Sequence, residues 1–259
     1  MGSKYIYDCG EGEKFVTDEL KDILLKARHI SALTGAGISV SAGIPDFRGE
    51  KGIYTTGVYG TEIFDIAYFF ENPKPFYDFA RAMYPMFEHA EPTKAHIGLS
   101  MLQNVSSVCI VTQNIDFLHE KASSKEVIHL HGDVSKAHCL KCGKSFSFNE
   151  LKRLISQYDV PFCDVCGGLI KPDIVFFGEA VKGFDKATEC IGKSDVFLAL
   201  GTSLEVSPAN MLVAYARGIK ILVNKSRTPF DEEFDYVFYE DLDHFFEGII
   251  KSLEEVRYE

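Results

Sequence analysis

No stretch of about 18 consecutive apolar residues occurs in the sequence, and a membrane-spanning helix needs that length. Residues 1–10 lack the apolar core of a secretory signal peptide. The chain begins Met1-Gly2-Ser3, but a myristoylation signal also requires Ser or Thr at the sixth position, where Ile6 stands. These absences predict a cytoplasmic protein, with the nucleus as the alternative compartment, and no membrane partner.

An excess of positive charge is also absent. The chain of 259 residues has 27 Lys and Arg against 38 Asp and Glu, which gives a formal net charge of −11. A general nucleic-acid-binding protein needs a basic face to replace phosphate counterions, so we expect no direct nucleic-acid binding. The negative charge suits a basic partner such as a lysine-rich protein tail, and it equally suits solubility alone.

Internal repeats are missing, and short apolar runs instead alternate with helix-like segments. The predicted strands are residues 29–34, 105–112, 127–130, 196–200 and 219–223. The predicted helices include residues 73–88, 93–104 and 207–217. This alternation predicts an α/β fold with a Rossmann-like, mostly parallel sheet that helices cover on both faces.

Seven cysteines fall into two groups. Four form Cys-x-x-Cys pairs separated by 20 residues, and the others are scattered; the pairs are Cys139 with Cys142 and Cys163 with Cys166, and the scattered residues are Cys9, Cys109 and Cys190. An odd count without a secretion signal is typical of reducing cytosol, so we interpret the pairs as metal ligands and not as disulfides. Four thiolates complete a tetrahedral shell without an open position for water, which predicts structural zinc. A redox dithiol and inert cysteines are the alternatives.

The alternation of strands and helices breaks at residues 133–177, the interval that holds all four paired cysteines. We interpret it as a small zinc-binding module inserted into a larger domain made of residues 15–132 and 178–256. Residues 43–62 include a stretch rich in Gly, Thr and Tyr and predict a mobile loop.

A glycine turn, Gly35-Ala36-Gly37, follows the first predicted strand and should open a helix. Glycines let backbone amides approach a phosphate, and a helix N-terminus favours the anion. The usual dinucleotide fingerprint has a third glycine at position 40, where Val40 stands, so an ordinary strand-to-helix turn is the alternative.

Polar residues follow four more predicted strands, at the edge where parallel sheets bind ligands. They are Gln113, Asn114 and Asp116 after the second strand, His131 after the third, Gly201, Thr202 and Ser203 after the fourth, and Asn224 after the fifth. Each could cap a loop by itself. Together with the glycine turn they predict a single polar cleft.

The motifs taken together resemble the sirtuin signature over roughly residues 20–246, nearly the whole chain. They are Gly35-Ala36-Gly37-Ile38-Ser39, Gly43-Ile44-Pro45-Asp46-Phe47-Arg48, Thr112-Gln113-Asn114-Ile115-Asp116, His131-Gly132, Lys171-Pro172-Asp173-Ile174-Val175-Phe176-Phe177-Gly178-Glu179, Gly201-Thr202-Ser203-Leu204 and the two cysteine pairs. The resemblance implies an NAD-dependent protein lysine deacylase that transfers the acyl group to ADP-ribose and releases nicotinamide. The alternatives are a mono-ADP-ribosyltransferase acting on protein, a non-enzymatic NAD sensor or zinc interaction module, and a dehydrogenase.

The resemblance also implies that NAD is a co-substrate and indicates which residues bind it. Gly35, Ala36 and Gly37 would hold the pyrophosphate; Asp46, Phe47 and Arg48 would belong to the cofactor loop at 43–62; Gln113, Asn114, Ile115 and Asp116 would line the nicotinamide and ribose pocket; Gly201, Thr202, Ser203, Asn224 and Ser226 would hold the adenosine, with Asp241 and Leu242 against the adenine.

By the same resemblance, His131 is the general base and Asn114 joins it in the catalytic set. The acyl oxygen of the modified lysine would attack the ribose as nicotinamide leaves, and His131 would take a proton through the ribose hydroxyls. Histidine suits this step because its pKa lies near working pH. We interpret His119 and His129 as structural or rim residues.

The substrate would be an acyl-lysine protein or peptide, bound by Val175, Phe176, Phe177, Gly178 and Glu179. Apolar walls suit a neutral acyl-lysine, and the peptide would pair as an added strand. A buried core strand is the alternative. The desuccinylating branch carries a Tyr-x-x-Arg pattern, but here Tyr77 is followed three residues later by Ala80, and Arg81 is one place off. We therefore predict a preference for neutral acyl groups.

Overall fold

A computed structural model describes residues 5–8, 18–47, 49 and 52–256. Arg48, which the resemblance assigns to the cofactor loop, and Cys9 lie outside the described residues. The strands are β1 (Tyr5–Asp8), β2 (His29–Thr34), β3 (Ser107–Thr112), β4 (Val127–His129), β5 (Gly132–Cys139), β6 (Ser145–Ser147), β7 (Ile170–Ile174), β8 (Val196–Leu200), β9 (Ile219–Val223) and β10 (Tyr236–Tyr239).

The helices lie between these strands. The α-helices are α1 (Asp18–Lys26), α2 (Ile66–Glu71), α3 (Lys74–His89), α4 (Lys94–Leu102), α5 (Leu118–Lys121), α6 (Phe148–Gln157), α7 (Phe184–Lys193) and α8 (Leu242–Val256), and the 3₁₀ helices are Ala36–Ala42, Thr61–Phe64, Ala209–Tyr215 and Asp231–Glu233. The predicted helix at 207–217 is present as the third of these 3₁₀ helices. Within the described residues, no helix combines the length and apolar character that crossing a bilayer demands.

The main sheet has the order β1-β10-β9-β8-β2-β3-β4, and each of its neighbouring strand pairs is parallel. From β2 the chain runs outward to β3 and β4, whereas β8, β9 and β10 extend from the other side of β2. The strand order therefore reverses between β2 and β8, which is where open α/β sheets bind ligands. The predicted Rossmann-like sheet is confirmed.

Helices cover both faces of this sheet, because successive strand side chains point to opposite sides. On β8, Leu198 packs in one core cluster with α1, α4 and α8, whereas its neighbour Phe197 packs in another with α7 and the 3₁₀ helix Ala209–Tyr215. Both faces are buried, and this accounts for the continuous apolar runs that made β2, β8 and β9 predictable to the residue.

A second, antiparallel sheet has the order β6-β5-β7, and all three strands come from residues 132–174. Helix α6 follows β6 and begins with a capping box, in which Ser147 and Glu150 bind each other's backbone N–H groups. This unit packs against α3 in a third core cluster, which includes Phe76 of α3 and Leu151 of α6. The small inserted module of the predicted fold is therefore present.

Cys109 of β3 and Cys190 of α7 form a disulfide between residues 81 apart, with their Cα atoms 6.4 Å apart. The sequence analysis left both cysteines as scattered residues without a partner, so it did not identify this bond. Hydrophobic periodicity identified β3 as a strand, but it carries no information on which helix packs over one of its residues.

Candidate active site

Two glycine turns touch where the strand order reverses. Gly35 donates its N–H to Leu200 O at 3.0 Å, and Gly37 donates to Gly201 O at 2.9 Å. A Cβ on Gly37 would lie 2.7 Å from Gly201 Cα, so a side chain there would force the two backbones apart. The predicted helix begins within the turn as the 3₁₀ helix Ala36–Ala42, and Gly35 at its N-cap supplies no side-chain hydrogen bond.

A buried polar cluster joins this turn to the segment after β3. Ser39 donates its hydroxyl to Asp116 Oδ2 at 2.9 Å, and Asn114 Nδ2 donates to Ser39 Oγ and to Gly35 O, both at 3.2 Å. Burial raises the pKa of Asp116, while the Leu118 N–H and the Ser39 hydroxyl oppose that rise. Ser39 lies within the signature, but no sequence pattern assigned it this contact.

His131 lies next to this cluster. Its Nδ1 atom is 2.9 Å from Gln113 O, the carbonyl that directly precedes Asn114. A carbonyl oxygen only accepts, so Nδ1 carries the proton and Nε2 remains as the basic nitrogen. Burial lowers the pKa of His131 from its usual 6.5, and the contact with Gln113 opposes that shift. The imidazole is therefore neutral at pH 7 and able to accept a proton.

Two nearby histidines have protein partners of their own. His129 Nε2 is 2.7 Å from Glu120 Oε1, and the buried His119 bonds through Nε2 to Thr34 Oγ1 at 3.1 Å. His119 also packs edge-on against His96, with ring centroids 4.6 Å apart. His96 belongs to a capping box with Thr93 at the start of α4, a pattern that the sequence analysis did not single out.

The turn after β8 reaches the same cleft. Thr202 Oγ1 accepts a hydrogen bond from Gln113 Nε2 at 3.0 Å and from the Leu204 N–H at 3.2 Å. Leu204 is buried and has a φ of 54°, a left-handed conformation that is unusual for a bulky side chain. Ser203, between them, is half-buried. This turn is thus held in one conformation at the rim of the cleft.

The residues assigned to the adenosine half lie after β9 and β10. Asn224 Nδ2 donates to Ser226 O at 2.8 Å, so these two residues are neighbours. Asp241 is 2.8 Å from Lys225 Nζ and also accepts backbone N–H bonds at the start of α8. Leu242 is the first residue of that helix and is buried. Asp241 therefore caps α8 in addition to its ion pair with Lys225.

The described part of the loop at 43–62 folds back on itself. Ile53 donates its N–H to Asp46 O at 2.8 Å, and Tyr54 donates to Phe47 O at 2.9 Å. The Phe47 ring lies 5.4 Å from the Tyr54 ring and 5.9 Å from the Phe64 ring, centroid to centroid. Phe47 thus packs against two aromatic rings of the same region of the chain.

The segment after β7 runs beside His131. Val175 donates its N–H to His131 O at 2.8 Å, and Phe177 donates to Phe64 O at 2.7 Å. Side chains alternate along it: Phe176 is buried in the core, whereas Phe177 is 48% exposed. Phe176 therefore packs in the core, as the alternative of a buried core strand predicts for it. Val175 and Phe177 face away from that core. A cavity of about 740 Å³ opens beside Phe177, lined also by Tyr54, Glu62 and Asp65.

Ile115 and Gly178 complete the placement of the predicted site residues. Ile115 is partly buried against the core cluster of the small module and accepts the Val134 N–H at 3.0 Å. Gly178 has a φ of 93°, and Glu179 folds back so that its carboxylate accepts the Phe176 N–H at 2.8 Å. The Glu179 carboxylate therefore binds the backbone of its own segment.

The ligand atoms of Cys139, Cys142, Cys163 and Cys166 all lie within 4.8 Å of one another. Both pairs turn in the same way, since Gly143 donates to Cys139 O and Gly167 donates to Cys163 O, each at 2.9 Å. Each glycine has a positive φ, which the turn requires. Four soft thiolates at this spacing fit a tetrahedral zinc ion and leave no position for a reacting water.

The polar cleft likewise fits NAD by the chemistry of its donors. An uncapped 3₁₀ helix N-terminus suits a phosphate, and the Asn114 amide, the Thr202 hydroxyl and the His131 imidazole suit sugar hydroxyls and a carboxamide. The structure brings the glycine turn, Gln113–Asp116, His131 and the Thr202 turn together through direct hydrogen bonds. Asn224, Ser226 and Asp241 form a separate group farther along the same sheet edge.

Comparisons with known proteins agree with this arrangement. A sequence model described as the Sir2 family matches residues 35–208. A Thermotoga maritima protein named NAD-dependent protein deacetylase is 41% identical over 222 residues, which cover 83% of this chain and 89% of that protein. A solved structure described as Sir2 with a p53 peptide and NAD+ is 36% identical, with a TM-score of 0.82 and coverage of 91% and 97% of the two chains. A structure of Sir2Tm bound to a propionylated peptide has the same TM-score at 35% identity and covers 90% and 97%.

Proposed function

This chain belongs to the Sir2 family, and on that premise we propose that it removes acyl groups from lysine side chains of proteins with NAD as co-substrate. The acyl group passes to ADP-ribose and nicotinamide is released, so the enzyme is a transferase whose effect on the lysine is hydrolytic. The observation that carries the proposal is His131, neutral and fixed by Gln113, beside the buried polar cluster of Asn114, Ser39 and Asp116.

In this proposal the chain's own residues bind, orient and move a proton. The turns at Gly35–Gly37 and Gly201–Ser203 hold the phosphates and the adenosine, while Asn114 and Asp116 orient the nicotinamide ribose. NAD supplies the sugar carbon that receives the acyl oxygen. His131 Nε2 accepts the proton released from the ribose hydroxyls, because its Nδ1 proton is already donated to Gln113.

The acyl-lysine would lie against Val175 and Phe177, and the Val175 N–H also donates to His131 O. Relatives of this chain have been solved with acetylated and propionylated peptides. No arginine is available for an acidic acyl group through the Tyr77 pattern. Tyr77 is buried and its hydroxyl contacts Ile170 O, and Arg81 points to three carbonyls at the end of α6, those of Ile155, Tyr158 and Asp159. This supports a preference for neutral acyl groups.

The test is mass spectrometry of NAD-dependent turnover on peptides that carry acetyl, longer neutral and acidic acyl-lysine. The wild type should release nicotinamide, deacylated peptide and acyl-ADP-ribose in equal amounts. His131→Ala should lower the rate by roughly 10²–10⁴-fold, the usual contribution of a general base. His89→Ala, a substitution of a histidine that is 81% exposed, should leave the rate unchanged. Labelled ADP-ribose on protein without acyl-ADP-ribose would instead support the ADP-ribosyltransferase alternative.

For the compartment we propose the cytoplasm, with the nucleus as the alternative, because four cysteines are grouped as free thiols in a metal-binding arrangement. The Cys109–Cys190 bond argues for oxidising conditions. Alkylation of thiols during cell lysis, followed by mass spectrometry, shows whether Cys109 and Cys190 are reduced or bonded to each other in the cell.

We likewise assign residues 15–132 and 178–256 to the NAD-binding domain, 133–177 to the zinc module and 43–62 to the cofactor loop. Limited proteolysis with and without NAD tests these bounds.

A further inference from the structure

Lys171 carries its ammonium group into the protein interior, where its side chain is 4% exposed. A buried charge is costly unless it is paired and hydrogen-bonded, so its partners identify what it stabilises. Lys171 lies on β7. The last residue of this strand, Ile174, begins the segment of residues 174–179, which runs past His131. No step of the proposed reaction uses it.

The partners of Lys171 all belong to that segment. Its Nζ donates to Ile174 O at 2.7 Å, lies 2.9 Å from Glu179 Oε2 and sits 4.5 Å from the centre of the Phe176 ring. Glu179 Oε2 also accepts the Phe176 N–H at 2.8 Å. The segment is therefore wrapped around one cation that touches its first, middle and last residues.

The residues between these contacts form the proposed acyl-lysine wall. Val175 lies between Ile174 and Phe176, and its N–H donates to His131 O at 2.8 Å. Phe177 is held on its other side by Phe64 O, at 2.7 Å. A shift of Phe176 would move both neighbours, because the three residues are consecutive. Lys171 thus acts on the wall through the backbone and not through contact with it.

We infer that Lys171 and Glu179 are a positioning pair that sets the distance of Val175 and Phe177 from His131, and so determines which acyl groups the channel accepts. The inference rests on the proposed function. Neither side chain is a catalytic residue in it. Burial lowers the pKa of Lys171, and the Glu179 carboxylate beside it opposes that shift.

The experiment compares Lys171→Met, which keeps the length of the side chain and removes its charge, with Lys171→Arg and Glu179→Gln. Lys182→Met is the matched control, since Lys182 pairs with Asp173 at 2.5 Å close to the same segment but is 44% exposed. Binding of a fluorescent acetyl-lysine peptide is measured directly, together with the KM values for peptide and NAD and the ratio of butyryl to acetyl turnover.

Lys171→Met should weaken peptide binding about tenfold, well short of the ~100-fold cost of misplacing a reacting group by ~1 Å. It should also raise the ratio of butyryl to acetyl turnover and leave the KM for NAD unchanged. Lys171→Arg should restore the peptide affinity and the acyl ratio. Glu179→Gln should shift them in the same direction, which keeps the test open if Lys171→Met does not fold. The inference is overturned if Lys171→Met and Glu179→Gln show the same peptide affinity and acyl ratio as Lys182→Met. A wild type that binds the peptide without deacylating it overturns the proposed function instead.

Discussion

The Nδ1 atom of His131 lies 2.9 Å from the carbonyl oxygen of Gln113, and this contact decides which ring nitrogen is basic. Gln113 and His131 follow two adjacent strands, β3 and β4, so the parallel sheet brings them together at its carboxyl edge. The same backbone turn carries Asn114 and Asp116. One hydrogen bond therefore links the proposed proton acceptor to the residues that would orient the sugar.

The pH dependence of deacylation should reflect His131. The reaction needs the neutral imidazole, and burial lowers its pKa from 6.5, so activity should persist below pH 6.5 and fall as pH drops through the lowered pKa. The measurement is kcat/KM for an acetyl peptide against pH, which reports groups of the free enzyme. His89→Ala should show the same profile as the wild type. An acid limb centred above pH 6.5 contradicts this assignment.

The contact between the two glycine turns makes Gly37 sensitive to a single methyl group. In Gly37→Ala the new Cβ would meet Gly201 Cα at 2.7 Å and Gly201 O at 2.8 Å, and both are backbone atoms. We expect the turns to separate and NAD binding to weaken by at least about tenfold, measured by calorimetry. Gly192→Ala in α7 is the control, because its Cβ would have no neighbour closer than 3.8 Å. Equal NAD affinity in the two variants would show that the turns are not the NAD site.

The main sheet could be predicted from sequence because its central strands are apolar on both faces. The runs at β2, β8 and β9 stand out from their surroundings, and the polar residues after them mark the sheet edge. β5 was not predicted as a strand, because its alternating buried and partly exposed residues form a largely polar sequence without an apolar run. β10 was not predicted either, because four residues are too few for periodicity to be distinguished.

Contacts between distant residues account for what the sequence did not reveal. The hydrogen bond between Ser39 and Asp116 requires the glycine turn and the β3 edge to be adjacent, which only the strand order establishes. The resemblance placed Glu179 at the substrate, whereas folding turns its carboxylate onto Lys171. Motifs predict the candidate site residues, and the tertiary fold decides the hydrogen-bond partner of each.

Acyl selectivity should favour neutral groups. Acetyl-lysine turnover should exceed succinyl-lysine turnover by at least about tenfold, since a buried carboxylate needs a cationic partner and Arg81 is engaged with backbone carbonyls instead. The measurement is kcat/KM on matched peptides. Arg81→Ala is the informative variant: Arg81 binds the carbonyls at the end of α6, so its loss should lower the melting temperature and leave the acyl ratio unchanged. Succinyl activity above acetyl activity would refute the prediction.

Removal of the metal should unfold the small module. In Cys163→Ser the thiolate shell is incomplete, and the zinc-to-protein ratio measured by atomic emission should fall from one toward zero. The melting temperature should fall as well, because structural zinc contributes roughly 10–16 kcal/mol to folding in isolated modules. Asp164→Ala removes an exposed ion pair with Lys144 at the adjacent position and should keep its zinc. Full zinc content in Cys163→Ser is the contrary result.

Reduction of the Cys109–Cys190 bond should destabilise the main domain. The bond closes a loop between residues 81 apart and ties strand β3 to α7, so its loss should cost about 2–4 kcal/mol of unfolding free energy. Urea unfolding of the oxidised wild type, with zinc present throughout, should shift to lower concentration on addition of a phosphine reductant. Cys190→Ser should already unfold at that lower concentration and should not respond to the reductant. Identical midpoints for the oxidised wild type and Cys190→Ser would mean that the two sulfurs are not bonded in solution.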